Sequence, residues 1–178
     1  MTQDEGPLEI EIGDTGMPPN LLPGVPSGWT DALTGTDGPR LWDRTISSEV
    51  ARVGRYRRPV TVALIEIIGL DRYALSWGVD VAERLFVQLA RTMAVNVRSS
   101  DHMARIERTR FGLLLTETDE IAAINIVERV RAGCEYQLGT SDLVRIGIGW
   151  AGSSTTTDLR LAIQIAETRL ADELDGLT

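Results

Sequence analysis

Few side chains in this sequence are suited to chemistry, and the shortage narrows what the chain can do. All 18 basic residues are arginine, and no lysine occurs in the 178 residues. That excludes a Schiff-base lysine, a P-loop lysine and an acyl-transfer lysine. His102 is the only histidine and Cys134 the only cysteine, so no histidine-built metal site, histidine triad or internal disulfide can be assembled. Cys134 has no ligand-spaced neighbour and reads as a buried bystander; a lone thiol suits a reducing cytoplasm. Gly147-Ile-Gly149 lacks the rest of any dinucleotide fingerprint. Carboxylate and guanidinium chemistry remains. Glu66 interrupts an apolar run, Glu107-Arg108-Thr109-Arg110 sits at a turn before Phe111, and Arg52, Arg55, Arg57 and Arg58 cluster at a helix end. A solvated helix end is the simpler reading of that cluster; an anionic partner, such as the chain's own acidic tail, is the other.

The elements that must position these groups follow from pattern. Residues 1–28 hold five of the seven prolines together with Asp4, Glu5, Glu9, Glu11 and Asp14, with no basic residue near them. Such a segment buries too little to order itself and reads as a flexible acidic tail, with the folded domain at 29–178. Within the tail, Pro7 to Gly13 alternates apolar and acidic residues, a pattern also suited to adding a strand to a partner's sheet. Leu41, Ile46, Val50 and Val53 form one helical stripe that ends before Pro59. Val60 to Ile68 reads as a central strand, Asp71 to Leu75 as a short helix and Val79 to Val97 as a long amphipathic one. Two short strands at about 102–107 and 111–116 form a hairpin. Asp119 caps a helix over Ile121 to Ala132, Leu143 to Trp150 is a strand, and Asp158 opens a last helix to about Glu173. This order predicts an α+β fold with a largely antiparallel, ferredoxin-like sheet flanked by helices. The four tryptophans, Trp29, Trp42, Trp77 and Trp150, read as core or rim packing.

The whole carries a formal net charge of −8, with 43% hydrophobic and 25% charged residues, the mix of a globular protein. An acidic chain repels a phosphate backbone, so nucleic-acid binding is not expected. No stretch approaches the ~20 apolar residues that span a bilayer, and no basic leader is present. The expectation is a cytoplasmic protein with no membrane insertion.

Several segments, in order, resemble the GGDEF family of bacterial nucleotide cyclases. Asp31-Ala-Leu-Thr-Gly35 with Arg40 and Trp42 is similar to its D-x-L-T-G-L-x-N-R-R-x-F opening. Leu64-Ile-Glu-Ile-Ile68 resembles its l-i-D-i-D strand, and Ser76-Trp-Gly78 its t-y-G turn. Arg98-Ser-Ser-Asp101-His-Met-Ala-Arg105 resembles the R-x-x-D-x-x-x-R run before the signature hairpin. Val127-Glu-Arg-Val-Arg131 and Val144-Arg-Ile-Gly-Ile-Gly149 are similar to the later helix and strand. The resemblance covers residues 31–174 and implies the palm-type, nucleotide cyclase-like GGDEF fold.

The departures fall on the chemistry the resemblance implies. The Gly-Gly-Asp/Glu-Glu-Phe signature is replaced by Glu107, Arg108, Thr109, Arg110 and Phe111, of which only the phenylalanine is retained. Side chains now stand where glycines would let the backbone approach phosphates. One metal-binding acid maps to Glu66 and the other to Thr109, a poor magnesium ligand. The second acid of the strand maps to Ile68, the phosphate lysine to Asp71, the guanine-reading asparagine to Ala74, the second guanine contact to Glu83 and the late lysine to Leu174. Cyclase chemistry needs paired divalent ions and electrostatic stabilisation. The expectation is a degenerate domain with no catalytic residue, no metal and no cofactor.

The family's second, inhibitory nucleotide site, an R-x-x-D with a further arginine, maps to Arg98, Asp101 and Arg129. The resemblance implies cyclic di-GMP as its ligand. Guanidinium forks suit phosphate or the guanine edge, and a carboxylate accepts from guanine N1 and N2 hydrogens. A purely structural role competes for each: Arg98 at a helix end, Asp101 capping a turn, Arg129 on a solvated face. Three functions follow in order: a cyclic di-GMP receptor acting on an unidentified signalling protein, a nucleotide-independent interaction or homodimerisation module, and last an enzyme of altered chemistry at Glu66.

Overall fold

A strand that is apolar at almost every position must be covered on both faces, and Val60–Ile68 is the middle of such a sandwich. The computed structural model describes residues 23–154 and 157–177. The expected tail up to residue 22, including Pro7 to Gly13, lies outside them. The elements run α1 (Pro39–Tyr56), β1 (Val60–Ile68), α2 (Leu70–Trp77), α3 (Val79–Ala94), β2 (His102–Arg105), β3 (Arg110–Thr116), α4 (Glu120–Leu138), β4 (Arg145–Gly152) and α5 (Leu159–Leu177). The sheet order is β2-β3-β1-β4, and every pairing is antiparallel. From β1 to β4 this is the ferredoxin-like arrangement the pattern predicts, with α1 and α5 added outside it.

The two faces of β1 divide the core. Val60, Val62 and Leu64 pack with Trp42 of α1 and with Leu159, Ala162 and Leu170 of α5. Ala63, Ile65 and Ile67 pack with Phe86 and Met93 of α3 and with Ile126 and Val130 of α4. Glycines permit the close crossings. Trp42 lies against Gly112 of β3, and α5 lies so near β4 that a methyl group on Gly149 would overlap the Ala166 carbonyl.

β4 is an edge strand, and unpaired edges invite aggregation. Helix side chains cover this edge. Glu173 accepts from Ile148 N at 3.2 Å, Glu120 accepts from Gly152 N at 3.0 Å, and Arg169 donates to the Trp150 carbonyl. Burial alone would raise the Glu120 carboxyl, but the Gly152 N–H and the Arg169 guanidinium outweigh it and hold it below its ordinary value.

Several boundaries differ from the sequence pattern: β4 is shifted to Arg145–Gly152, and α5 runs past Glu173 to Leu177. α3 stops at Ala94 instead of Val97, because Asn96 turns its side chain back and donates to Thr92 O at 2.8 Å. α4 runs on to Leu138, where Gly139 takes a positive φ of 60°. Residues 23–28, read as tail, lie against the fold: Pro23 and Pro26 are buried, and Gly28 O accepts from Arg40 N at 3.3 Å.

The α5–β4 crossing yields a direct expectation. Gly149→Ala should destabilise the protein by about 1–3 kcal/mol, the usual cost of overpacking a filled interior. Urea unfolding would read this as a lower midpoint, whereas Gly54→Ala, which opens into space on α1, should not lower it.

Candidate functional site

The hairpin between β2 and β3 faces the end of β1, and the strand register sets what meets there. Glu66 lies directly opposite Arg110. Directly opposed residues on one face of an antiparallel pair are close enough to interact, and Arg110 Nε donates to Glu66 Oε2 at 2.7 Å. Thr109 Oγ1 donates to the other oxygen, Glu66 Oε1. Arg110 also reaches Glu107 at 3.0 Å. Asp71 stands in the first turn of α2, where an acid is favoured, and Arg108 grips it with two bonds of 3.1 and 2.6 Å. These pairs are largely shielded: side-chain exposure is 12% for Glu66 and 16% for Asp71.

The hairpin carries its bulky residues without strain. Among the described residues, only Arg57 and Glu117 are non-glycine positions with positive φ. Glu107 and Arg108 therefore stand in backbone that any residue adopts. Phe111 is fully buried and meets Phe86, with ring centroids 5.5 Å apart. Its retention serves the core.

Paired magnesium ions require carboxylates with open lone pairs. Both oxygens of Glu66 are already bonded, one of them to a guanidinium standing where a metal's charge would lie. Thr109 offers no charge, and Asp71 holds an arginine. These residues do not fit a metal pair.

Beneath the hairpin lies a group the sequence pattern did not single out. Arg105 ends β2 and is 2% exposed. Its Nε and Nη2 both donate to Arg108 O, at 3.1 and 2.7 Å, its Nη1 to Asp31 Oδ1 at 2.9 Å, and its Nη2 also to Gly24 O. Burial lowers its pKa, and Asp31 pulls it back up. The signal available in sequence was a charged residue inside a short apolar strand, with Asp31 far away in the chain.

The second candidate site is at the other end of α3. Asp101 is buried, and its carboxylate holds main chain: Oδ2 accepts from Arg98 N at 3.0 Å and Oδ1 from Thr116 N at 3.1 Å. Arg129, on α4, donates to Asn96 O at 3.1 Å. The structure thus brings Arg129 to within two residues of Arg98 along the chain. Arg98 itself is exposed in the turn after α3 rather than at the helix end, because the helix stops four residues earlier. Glu83 lies apart, lining a shallow groove with Leu33 and Arg84. Ala74 is buried, and Leu174 packs on Gly147 of β4.

A ferredoxin-like sheet with helices on both faces, presenting a hairpin to an acid-bearing central strand, defines a domain of the nucleotide-cyclase type. The chain belongs to the GGDEF family: residues 28–174 match the family described as diguanylate cyclase, GGDEF domain. It is 28% identical over 103 residues to the probable diguanylate cyclase DgcC of Escherichia coli K12, covering 58% of this chain and 28% of that protein. It is 26% identical over 145 residues to the diguanylate cyclase DosC of the same strain, covering 79% of this chain and 32% of that protein. The chain thus spans about a third or less of these relatives. Among solved structures, the GGDEF domain of DgcB from Caulobacter crescentus, in complex with cyclic di-GMP, superposes with a TM-score of 0.75 at 14% identity, covering 84% of this chain and 92% of that one. SiaD from Pseudomonas aeruginosa, a diguanylate cyclase in complex with its activator SiaC, gives 0.73 at 24% identity, covering 83% and 58%. At these identities the likeness is one of fold.

Removing the buried guanidinium should be severe. Arg105→Met leaves Asp31 buried without its partner, and breaking such a pair costs about 3–5 kcal/mol. Asp31→Leu combined with Arg105→Met should recover part of that loss. Chemical denaturation of the two single variants and the double variant checks both statements.

Proposed function

We propose that this chain is a GGDEF domain without cyclase turnover, and that it acts as a receptor for cyclic di-GMP that signals to a protein partner. The arginine-paired Glu66 carboxylate carries the first half of the reading. Turnover by this family's route needs cations at that carboxylate, and the Arg110 guanidinium already neutralises it. Electrostatic stabilisation is commonly the largest catalytic contribution, and losing a single donor costs roughly 10²–10³ in rate. Here the phosphate lysine, one metal acid and both signature glycines are replaced together.

The receptor half rests on the corner after α3. Arg98 lies in a turn that Asp101 holds in shape, Arg129 bonds Asn96 O two residues before it, and two guanidinium forks suit a phosphodiester or a guanine edge. The lone Cys134, wholly buried, suits a cytoplasmic setting, and among the described residues no helix is long and apolar enough to cross a membrane. A second reading, a nucleotide-independent interaction or homodimerisation module, is favoured by one observation: both Asp101 oxygens are bonded to main chain, which leaves the fold a use for Asp101 without any ligand.

Calorimetry separates these two. Cyclic di-GMP should bind the wild type saturably, and Arg98→Ala should weaken binding by roughly tenfold to a hundredfold, as the loss of charge-assisted bonds does. No heat with the wild type leaves the interaction module. Incubation with GTP and magnesium, followed by chromatography, should yield no cyclic dinucleotide; any product made by the purified chain overturns the first half.

A further inference from the structure

Four residues of α1 share one stripe: Glu49, Arg52, Val53 and Tyr56 stand at i, i+3, i+4 and i+7. The stripe meets the start of β1, where Val60 lies directly opposite Thr116 of β3. These residues line a cavity of about 200 Å³, with the exposed ion pair of Arg58 and Glu117 at its rim. That is below the ~300–1,000 Å³ typical of a site for a drug-sized ligand. The cavity is remote from Glu66, which lies roughly 20 Å further along β1. None of Arg98, Asp101 and Arg129 lines it.

Glu49 is the unusual member. A glutamate is almost never this buried unless it is paired and hydrogen-bonded, and Glu49 is 6% exposed. Its Oε1 accepts from Arg52 Nη1 at 2.6 Å. Among the described residues, Oε2 meets no hydrogen-bond donor. An ionised carboxylate has about four lone-pair sites, so one arginine bond leaves most of its capacity open. The two arginines are open as well. Arg52 bonds Glu49 through Nη1 alone, and Arg58 bonds Glu117 through Nη1 alone. Among the described residues, neither Nε nor Nη2 of either side chain has a partner. The lining thus carries two carboxylates and two guanidiniums and has no net charge. An ion of one sign would gain from one group and be repelled by its neighbour. A zwitterion gains from both.

We infer that this cavity binds a free aliphatic α-amino acid. The ammonium donates to Glu49 Oε2, the carboxylate accepts from Arg58 at the rim, and the side chain lies against Val53 and Val60. Both ends then make charge-assisted bonds, which are the strong ones. The buried end fixes the ammonium, because a shielded carboxylate gains most from a further donor. The rim adapts. Exposed ion pairs are weak, so Arg58 exchanges Glu117 for the ligand carboxylate at little cost. Of the arginine cluster at the end of α1, Arg52 and Arg58 thus have a use beyond solvation.

Amide NMR spectra of the full chain, titrated with L-leucine, L-isoleucine and L-valine, test this. Signals from Glu49 to Val60 and at Thr116 and Glu117 should shift saturably with at least one of them, with a dissociation constant in the millimolar range or tighter. For L-leucine, two analogues separate the charges: N-acetyl-L-leucine lacks the ammonium and L-leucinamide lacks the carboxylate. Each should bind at least about tenfold more weakly. Glu49→Gln should weaken amino-acid binding by roughly tenfold to a hundredfold, as the loss of a charge-assisted bond does. Val53→Phe fills the cavity while keeping every charge and should abolish binding; it decides the question if Glu49→Gln does not fold. No saturable shift with any of the three amino acids overturns the proposal. So does equal binding of L-leucinamide, which would make this a cation site, or of N-acetyl-L-leucine, which would make it an anion site. Shifts centred on Glu66 or Arg98 overturn it as well, because the ligand would then sit elsewhere.

Discussion

A buried guanidinium needs a counter-charge and nearby acceptors, and the hairpin side of this domain is arranged around that constraint. Arg105 spends its donors on Asp31, on Gly24 O and twice on Arg108 O, while its plane lies 5.0 Å from the Phe86 ring. One side chain therefore joins the entering segment, the hairpin and α3. A charge this deep is tolerated only with a paired carboxylate and full hydrogen bonding. The Arg105 main chain takes part as well, its N–H donating to Asp37 O at 2.9 Å. That bond holds the 37–38 turn on the open side of β2 and leads directly into α1.

With Arg108 O fixed from below, the side chains above it have little freedom. Arg108 projects to Asp71 and Arg110 to Glu66. Taken singly, each of these shielded charges would be unfavourable. A shielded carboxylate without a counter-charge is costly, and so is a shielded guanidinium. Together they cancel. A largely buried Glu66 needs a counter-charge, and Arg110 supplies it from the facing position of the next strand. The four charges thus form one self-consistent set of internal ion pairs.

The architecture was legible because it follows from local periodicity. The unbroken apolar run of β1, the hairpin before Phe111 and the helical stripes of α1 and α3 each reported a buried face, and those faces fix the sheet order. The partnerships of charge were not legible. Arg108 and Asp71 are 37 residues apart, and Arg105 and Asp31 are 74 apart; no period in the sequence links them. The same holds for the end of α3. Apolar spacing continues through Val97, but an asparagine side chain closes the helix at Ala94, and that moved Arg98 from a helix terminus into an exposed turn. Residues 23–28 looked like tail by composition, yet a carbonyl at Gly24 is one of the few acceptors that Arg105 can reach.

At the corner after α3, a structural duty and the proposed binding duty fall on the same residues. Asp101 fixes the turn through Arg98 N and joins it to β3 through Thr116 N, so the turn keeps its shape without a ligand. Arg129 is steadied by the Asn96 carbonyl, the residue whose side chain also ends α3. Among the described residues, only the Arg98 guanidinium of this trio has no hydrogen-bond partner. Ordering long side chains is a large part of the cost of capturing a ligand, and a site with most of its parts already held loses less on binding. The bonds that give Asp101 and Arg129 a role in the fold would therefore also lower the cost of the anion binding proposed for this corner.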